Sequence, residues 1–295
     1  MKHGDIKTRI NEFVLDNGEE LISKNLMLAI RDIDHGAIVV LKDVRDSIAS
    51  FLKNTVGFKT DSFGSALSLF ENLGYEVVGG SLYGKDASVL EAKKNKPIEL
   101  EAKVEVSRKK FSQIQHRLLG RGTCVASVTE KNYLFDKGEE LESRGSLLRL
   151  RVEEVMFSNE KNMRKKYRLT YKGPREESEL NKRVEIEIDV NKPLEASKLL
   201  EMLGYEKAGC YHKKREIHDF GETKVFLDQA CKSERLFISG QEIWEDDIGK
   251  MPPVSEWRTF VEVEGPNEKA IKKTLWWDLG IWFYKNIKQS YIDIL

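Results

Sequence analysis

The feature that most constrains this chain is a set of segments in which charged side chains alternate with apolar ones. In the segment 98–104, a β-strand places Glu99, Glu101 and Lys103 on one face and apolar side chains on the other. A single strand of this kind ordinarily has a solvated polar face. At least six further segments repeat the alternation, and seven such strands together predict a closed sheet around a charged interior. The charged positions of the further segments include Arg149, Arg151, Lys172, Arg183, Glu185, Glu187, Lys213, Arg215, Asp228, Glu262 and Glu264.

The order of strands and helices after residue 97 predicts how this sheet closes. A strand, a helix and further strands follow one another twice, in 98–173 and in 182–264. Two similar halves that form one antiparallel barrel, with helices over the outward apolar faces, are the simplest arrangement. The sequence therefore predicts an α+β fold in which residues 97–295 form a closed antiparallel barrel of about eight strands with helices outside.

Residues 1–95 are predicted to form a separate, small and mainly helical α/β domain. Apolar positions at helical spacing in 6–14, 21–30 and 44–52 indicate helices, and the segments 37–41 and 75–78 are typical of short strands. Ser62 is a candidate N-cap of a helix that ends at Gly74. The polar, proline-ended segment 93–97 is a candidate linker. No catalytic constellation is visible here, and we expect either a regulatory role or an unknown partner for this domain.

One similarity in sequence connects the two predicted domains. The segment 69–76 (LFENLGYE) resembles the segment 199–206 (LLEMLGYE). Either the first domain contains a decayed copy of half of the second, or both segments are helices that end at a glycine and precede a strand. No strand with alternating charges accompanies the first segment, which favours the second explanation.

The charge balance limits the partners of the chain. Lysine and arginine together number 49, as do aspartate and glutamate, so the net charge is zero and does not favour nucleic acid or a membrane surface. No apolar run reaches the roughly 18 residues of a membrane span. Three widely spaced cysteines suggest no zinc site and are typical of a reducing compartment. We therefore expect a soluble cytoplasmic protein that binds neither nucleic acid nor membrane.

Charged side chains inside a barrel are costly to desolvate unless they are paired or bound to a ligand. The basic and acidic residues could pair with one another, but buried ion networks on this scale rarely improve stability over an apolar core. A water-filled tunnel for a multiply charged ligand explains both signs of charge. Lysine and arginine would contact phosphate oxygens, and the carboxylates would hold Mg²⁺ or Mn²⁺.

A series of motifs extends over about 98–295 and opens with Glu99-x-Glu101-x-Lys103. The later motifs are Asn132-Tyr133-Leu134-Phe135-Asp136, Leu148-Arg149-Leu150-Arg151, Thr170-Tyr171-Lys172-Gly173-Pro174, Arg183-x-Glu185-x-Glu187, Lys213-x-Arg215, Leu227-Asp228, Phe260-x-Glu262-x-Glu264 and Ser290-Tyr291. Taken in order, these motifs resemble the CYTH superfamily of triphosphate tunnel metalloenzymes, and the first of them resembles the opening signature of that superfamily. The superfamily includes thiamine triphosphatases, inorganic triphosphatases and class IV adenylyl cyclases.

The resemblance implies a role for each charged position. The implied metal ligands, for Mg²⁺ or Mn²⁺, are Glu99, Glu101, Asp228, Glu262 and Glu264. The implied triphosphate-binding residues are Lys103, Arg149, Arg151, Lys172, Arg183, Lys213 and Arg215. Among these, Arg149 and Arg151 are candidate catalytic residues, and Lys103 is a candidate general base. Glu185 and Glu187 are expected to support the basic residues.

The activity implied is the metal-dependent hydrolysis of inorganic, nucleoside or thiamine triphosphate. The alternatives are a class IV adenylyl cyclase, which makes cyclic AMP and pyrophosphate from ATP, and a non-catalytic polyphosphate-binding module. The partner would be a small triphosphate molecule, and a homodimer is a further expectation. The segment 231–258 is longer than the tight turn of many relatives and is expected to be a lid or surface insert.

Overall fold

A computed structural model describes residues 12–18, 20–24, 26–33, 36–43, 55–81, 98–233 and 256–295. The chain divides into two compact units. The first, called the sheet unit, comprises Met1–Lys96 with Ile186–Gly204, and the second, called the tunnel unit, comprises Pro97–Glu185 with Tyr205–Leu295. The predicted helix at 44–52, the linker at 93–97 and most of the segment 231–258 lie outside the described residues.

The sheet unit contains a five-stranded antiparallel sheet. Its strands follow the order β4-β3-β2-β1-β5. In chain order they are β1 (Glu12–Asp16), β2 (Leu26–Ile33), β3 (Gly36–Asp43), β4 (Thr55–Thr60) and β5 (Glu76–Ser81). The described helices before residue 97 are α1 (Glu20–Ser23) and α2 (Phe63–Asn72).

The prediction of a mainly helical first domain is wrong for the described residues. Phe13 and Val14 lie in β1, and the apolar segment 26–30 lies in β2. Leu28, Ala29 and Ile30 are all buried, so β2 is covered on both faces and its sequence is a continuous apolar run. Such a run satisfies helical spacing as well as strand spacing, which explains the error.

The helix predicted between Ser62 and Gly74 and the strand predicted at 37–41 are confirmed. The Ser62 side chain caps α2 by accepting a hydrogen bond from the backbone N–H of Ser65 at 3.1 Å. Gly74 has a φ of 94° directly after the helix. Because that left-handed conformation costs other residues about 1–2 kcal/mol, glycine suits this position.

The tunnel unit is built around a closed antiparallel barrel of eight strands, as predicted. The strands follow the order β10-β6-β13-β12-β11-β7-β8-β9. They are β6 (Ile98–Glu105), β7 (Thr123–Asp136), β8 (Leu147–Phe157), β9 (Arg164–Lys172), β10 (Asn181–Asp189), β11 (Glu206–Phe220), β12 (Thr223–Lys232) and β13 (Arg258–Glu264).

Helices cover part of the outer surface of the barrel. The helix α3 spans Arg108–Arg121, and its side chains Phe111, Ile114 and Leu118 pack in one apolar cluster with the outward residues of β6, β12 and β13. The remaining described helices are α4 (Glu140–Ser143), α5 (Pro193–Met202), α6 (Glu268–Lys273), a π-helical turn at Thr274–Asp278 and α7 (Tyr291–Ile294). No described helix is long and apolar enough to span a membrane.

Candidate active site

The inward face of the barrel carries a band of charged side chains, here called the charged belt. Strand alternation places its members on one face. Apolar clusters flank it on both sides along the strands, one around Phe260 and Tyr291 and the other around Val128 and Val155. The belt comprises Glu99, Glu101, Lys103, Glu130, Arg149, Arg151, Glu153, Lys172, Arg183, Glu185, Lys213, Arg215, Asp228, Glu262 and Glu264.

The signs of charge are distributed unevenly around the barrel. Three neighbouring strands, β6, β13 and β12, form an acidic wall made of Glu99, Glu101, Asp228, Glu262 and Glu264. The other five strands, β11-β7-β8-β9-β10, form a mainly basic wall that contains Arg149, Arg151, Lys172, Arg183, Lys213 and Arg215 together with the carboxylates Glu130, Glu153 and Glu185. A ligand inside the barrel would therefore meet most of the phosphate-binding groups on one side and the five carboxylates of the acidic wall on the other.

Lys172 is the centre of one ionic group. Its Nζ lies 2.7 Å from an oxygen of Glu99 and 3.0 Å from Glu185, and Arg183 Nε lies 3.7 Å from Glu99. Burial opposes the charge of Glu99, but Lys172 and Arg183 outweigh it and lower the pKa of that carboxyl well below its usual range. Glu99 is therefore an anion held between two cations.

Arg215 is the centre of a second group. Its guanidinium donates to both oxygens of Asp228, at 2.7 and 2.6 Å, and also contacts Glu262. Lys213 Nζ lies 3.4 Å from Asp228, and the Tyr291 hydroxyl donates to Asp228 at 2.7 Å. Burial opposes the charge of Glu262, but Arg215 and Lys213 outweigh it and lower its pKa to about 2.

Arg151 holds a third group on β7 and β8. Its Nη1 donates to Glu153 at 2.9 Å, and its Nε donates to the side-chain oxygen of Asn132 at 3.0 Å. Glu130 lies 3.5 Å from Arg151 Nε and 3.4 Å from Lys213 Nζ. Burial opposes its charge, but Arg151 and Lys213 outweigh it and lower the pKa of Glu130 well below its usual range. Glu130 thus connects this group to Lys213.

Lys103 lies on the acidic wall and differs from the other basic residues in its contacts. Its ammonium donates to the backbone carbonyl of Gln289 at 2.5 Å and lies 4.5 Å from the centre of the Tyr291 ring. Burial lowers its pKa, although Glu262 and Glu101 oppose that shift. A lysine that acts as a general base needs a lowered pKa, because only the neutral amine can accept a proton.

The acidic wall has the donor chemistry of a site for a hard divalent cation. Glu264 and Glu101 are directly opposite each other on β13 and β6, an arrangement in which like charges repel. Burial, together with Glu99 and Glu262, raises the pKa of Glu101 to about 7. A divalent cation would relieve this repulsion, and carboxylate oxygens are its preferred ligands. In the described part of the chain, no three Asp, Glu, His or Cys side chains already form a metal-binding cluster.

The structure brings nearly all of the residues singled out from the sequence into the belt. The exception is Glu187, which is exposed on the part of β10 that belongs to the sheet unit. Its neighbour Glu185 does support the basic wall, through Lys172 at 3.0 Å and Arg149 at 4.0 Å.

The sequence analysis missed Glu130 and Glu153 as members of the belt. Both are on the same strand faces as Asn132 and Arg151, so strand alternation extended by one step would have found them. Arg175 was also missed. It lines a cleft of about 270 Å³ together with Arg183, Ser290 and Asp293. Burial and the nearby Arg183 lower the pKa of Arg175.

Two buried polar atoms of β10 are available to a bound ligand. Among the described residues, Nε of Arg183 and the side-chain oxygen of Asn181 have no hydrogen-bond partner. Buried polar atoms are almost always satisfied, by protein, by water or by a ligand. An anion at Arg183 would satisfy one of the two atoms.

The chain was compared with known proteins. A model of the CYTH domain family matches residues 97–270, which include all eight barrel strands. No curated protein sequence matches the chain.

Similar solved structures include a protein from Pyrococcus horikoshii OT3, at 18% identity and a TM-score of 0.48, with 66% of this chain and 97% of that chain covered. A "putative adenylate cyclase" from Vibrio parahaemolyticus has 18% identity and a TM-score of 0.43, with 68% and 98% covered. A protein from Hippeastrum, described as a cyclase candidate with a dominant triphosphatase activity, has 17% identity and a TM-score of 0.45, with 66% and 94% covered.

Proposed function

Because this chain belongs to the CYTH domain family, we propose that it is a metal-dependent hydrolase of small molecules that carry a triphosphate. The observation that carries the proposal is the separation of the barrel interior into a basic and an acidic wall. A linear triphosphate carries several negative charges, which suit the basic wall. The acidic wall would then hold the divalent cation that accompanies such a ligand.

The basic wall binds and orients the phosphates. Lys172, Arg149 and Arg183 exchange their carboxylate partners for phosphate oxygens, and Arg151 and Lys213 extend the same surface along the strands. Phosphoryl transfer needs positioning and neutralisation of charge more than covalent assistance, so fixed cations supply most of what the protein contributes. Removing the ligand lets each cation return to the carboxylate that it contacts in the structure.

The acidic wall would hold the cation, Mg²⁺ or Mn²⁺, through Glu99, Glu101, Glu262 and Glu264. Such a cation would supply neutralisation of the phosphate charge and activation of the water nucleophile. Asp228 is held by Arg215, Lys213 and Tyr291, so its role here is to fix the position of Arg215. Lys103, with its lowered pKa, is the candidate to accept a proton from the attacking water.

The test is an incubation with inorganic triphosphate and, separately, with ATP, in the presence of Mg²⁺ or Mn²⁺. Chromatography of the products should show free phosphate from a triphosphate substrate. Cyclic AMP with pyrophosphate would replace the proposal with an adenylyl cyclase. If the ligand binds but neither product forms, the barrel is a polyphosphate-binding module.

A matched pair of variants on one strand connects the activity to the belt. Lys172→Met removes a cation of the basic wall, whereas Lys165→Met changes an exposed residue of the same strand, β9. Activity should fall only in the first variant. In a third variant, Glu262→Gln, the concentration of Mg²⁺ that gives half-maximal activity should rise, and an unchanged metal dependence would contradict the ligand role of Glu262.

We also propose a cytoplasmic location, in keeping with the odd number of cysteines and the zero net charge. The partner that this function requires is a small triphosphate molecule. Neither nucleic acid nor membrane is needed for it.

A further inference from the structure

The sheet unit repeats the local structure of the tunnel unit at the turn after its first strand. Asp16 Oδ1 accepts hydrogen bonds from the backbone N–H groups of Asn17 at 2.7 Å and Leu21 at 2.8 Å. Asp136 Oδ1 accepts the same two bonds, from Lys137 at 2.6 Å and Leu141 at 2.8 Å. The glycines two residues after these aspartates, Gly18 and Gly138, have φ values of 56° and 60°.

The strands on either side of this turn pair in the same register. In the sheet unit Glu12 is opposite Arg31 and Leu15 is opposite Leu28, and in the tunnel unit Asn132 is opposite Arg151 and Phe135 is opposite Leu148. These four pairs are related by one constant offset along the chain. Register depends on the turn and on the residues that face the core, so its repetition shows that both agree in the two copies.

The pairing of this first strand with its other neighbour also repeats, including a β-bulge. In the pairing of β1 with β5, a bulge leaves Val78 without a partner before Val14 pairs with Gly79. In the pairing of β7 with β11, a bulge leaves Ala208 without a partner before Leu134 pairs with Gly209. Bulges are specific features of a fold, and their positions are seldom shared by unrelated sheets.

The strand order and the helices also correspond. The run β3-β2-β1-β5 of the sheet corresponds to the run β9-β8-β7-β11 of the barrel. The helices α2 and α5 contain the similar sequences LFENLGYE and LLEMLGYE at their ends, and the glycines that follow them, Gly74 and Gly204, have φ values of 94° and 90°. The strands β1 to β5 with α2 are therefore a partial copy of the tunnel fold, which the sequence alone had made the less favoured of two explanations.

This copy keeps part of the basic wall, since Arg31 and Lys42 stand at the positions of Arg151 and Lys172. The position of Arg149 is taken by Ala29 and that of Thr170 by Val40, and both replacements are buried. Among the described residues, the copy has no strand that corresponds to β6, β12 or β13, which form the acidic wall. The described part of the copy thus lacks the acidic wall and has an apolar residue at the Arg149 position of the basic wall.

Within the sheet unit, equivalent segments of the two copies meet through reciprocal hydrogen bonds. The N–H of Lys59 donates to Asn191 Oδ1 at 2.7 Å, and the N–H of Asp189 donates to Asp61 Oδ1 at 3.0 Å. By the offset that relates α2 to α5, Lys59 is equivalent to Asp189 and Asp61 is equivalent to Asn191. The two hydrogen bonds are therefore equivalent: the donors correspond to each other, and so do the acceptors. Such reciprocal contacts are the signature of a two-fold axis.

We propose that the N-terminal copy is a built-in partner, which pairs with the segment Ile186–Gly204 in the way that two identical chains pair in a symmetric homodimer. In such an interface, residue i of one copy contacts residue j of the other, and the reverse contact is also made. Here both contacts are made inside one chain. The surface of Ile186–Gly204 is consequently occupied, and the intact chain is a monomer with one triphosphate site.

The test uses the intact chain and two pairs of cysteines that the two-fold axis relates. The first variant is Lys59→Cys with Asn191→Cys, and the second is Asp61→Cys with Asp189→Cys; all four residues are exposed. All three native cysteines lie in the described residues, and of these Cys124 alone is half-exposed, whereas Cys210 and Cys231 are buried. Both variants therefore also carry Cys124→Ser. A short bis-maleimide is added at low protein concentration, and the products are separated on a denaturing gel and digested for mass spectrometry.

Both pairs are expected to cross-link within one chain and with similar yield, because the two contacts are equivalent. The four single-cysteine variants are the controls and should give no covalent dimer. Light scattering of the unmodified wild-type protein should give the mass of one chain.

Three outcomes would overturn the proposal. Cross-links between two chains would show that the segments pair in trans. Thiols that react with a monofunctional maleimide but do not cross-link would show that the segments are apart. A wild-type mass of two chains would show that the partner is not built in. None of these measurements depends on triphosphate hydrolysis, so they remain valid if the proposed function fails.

Discussion

The two units of this chain share an arrangement of strands but differ in some of the side chains that these strands carry. The turn at Asp16, the register of β1 with β2 and the bulge in β5 all recur in the tunnel unit. The positions of Arg149 and Thr170 in one unit are Ala29 and Val40 in the other. The same strand arrangement therefore forms with and without a cation at the Arg149 position. Arg149 is not required to specify the fold, and this supports a role for it in ligand binding.

The largest expected effect is on the stability of the tunnel unit, when the cation that holds two buried carboxylates together is removed. Arg215→Ala leaves Asp228 and Glu262 buried without the guanidinium that both contact. Breaking a buried ion pair in this way costs roughly 3–5 kcal/mol. Urea denaturation should show this loss in the free energy of unfolding. Arg164→Ala, which removes an exposed arginine, is the control and should change it by less than about 0.5 kcal/mol. Equal effects of the two substitutions would contradict the structural role of Arg215.

A second prediction compares equivalent arginines of the two copies. Arg151 is opposite Asn132 in the tunnel unit, and Arg31 is opposite Glu12 in the sheet unit. Arg151→Met should lower kcat for triphosphate hydrolysis on the order of 10²–10³-fold, the loss typical of one transition-state donor. Arg31→Met should leave kcat and KM unchanged. A comparable loss in both variants would mean that the copy takes part in the activity.

A third prediction concerns the turn that the copies share. Asp16→Ala and Asp136→Ala each remove a carboxylate whose Oδ1 accepts two backbone N–H groups, and Oδ2 of Asp136 accepts a third, from Glu142 at 2.9 Å. Hydrogen bonds to charged groups contribute about 1.5–3 kcal/mol each, so both turns should open more readily. Hydrogen exchange at the amides of Leu21 and Leu141 measures the two turns separately. Loss of protection at only one of them would show that the turns are not equivalent.

The smallest expected effect is at the glycines of these turns. Gly18→Ala and Gly138→Ala introduce a Cβ that meets no atom within 4 Å in either unit, but the φ values of 56° and 60° remain unfavourable for alanine. Each substitution should destabilise its own turn by about 1 kcal/mol. The same exchange experiment measures this, and a stabilisation at either site would contradict the left-handed backbone conformation of that glycine.

The barrel and its belt could be predicted because strand alternation is visible in a single sequence. The prediction that Glu99, Glu101 and Lys103 share one face of β6 required only the two-residue period of a strand. The sheet unit could not be predicted in this way, because its strand β2 is covered on both faces and its sequence fits a helix as well. The repeat itself was detectable, since Asp16 and Gly18 have the same spacing as Asp136 and Gly138. Alternating charges did not indicate it, because Ala29 and Val40 interrupt the pattern at the positions of Arg149 and Thr170.

The sequence alone therefore determined the period of each barrel strand, the inward position of the charged residues and the turns that both copies use, since these depend on residues close together in the chain. Only the tertiary structure decided which charges meet. Arg215 contacts Asp228 and Glu262, and Lys172 contacts Glu99, because closure of the barrel brings distant strands together. The lowered pKa of Glu262 and the raised pKa of Glu101 follow from the same closure, since burial and neighbouring charge act through space. The pairing of Lys59 with Asn191 is also a contact across the fold, and no local pattern in the sequence encodes it.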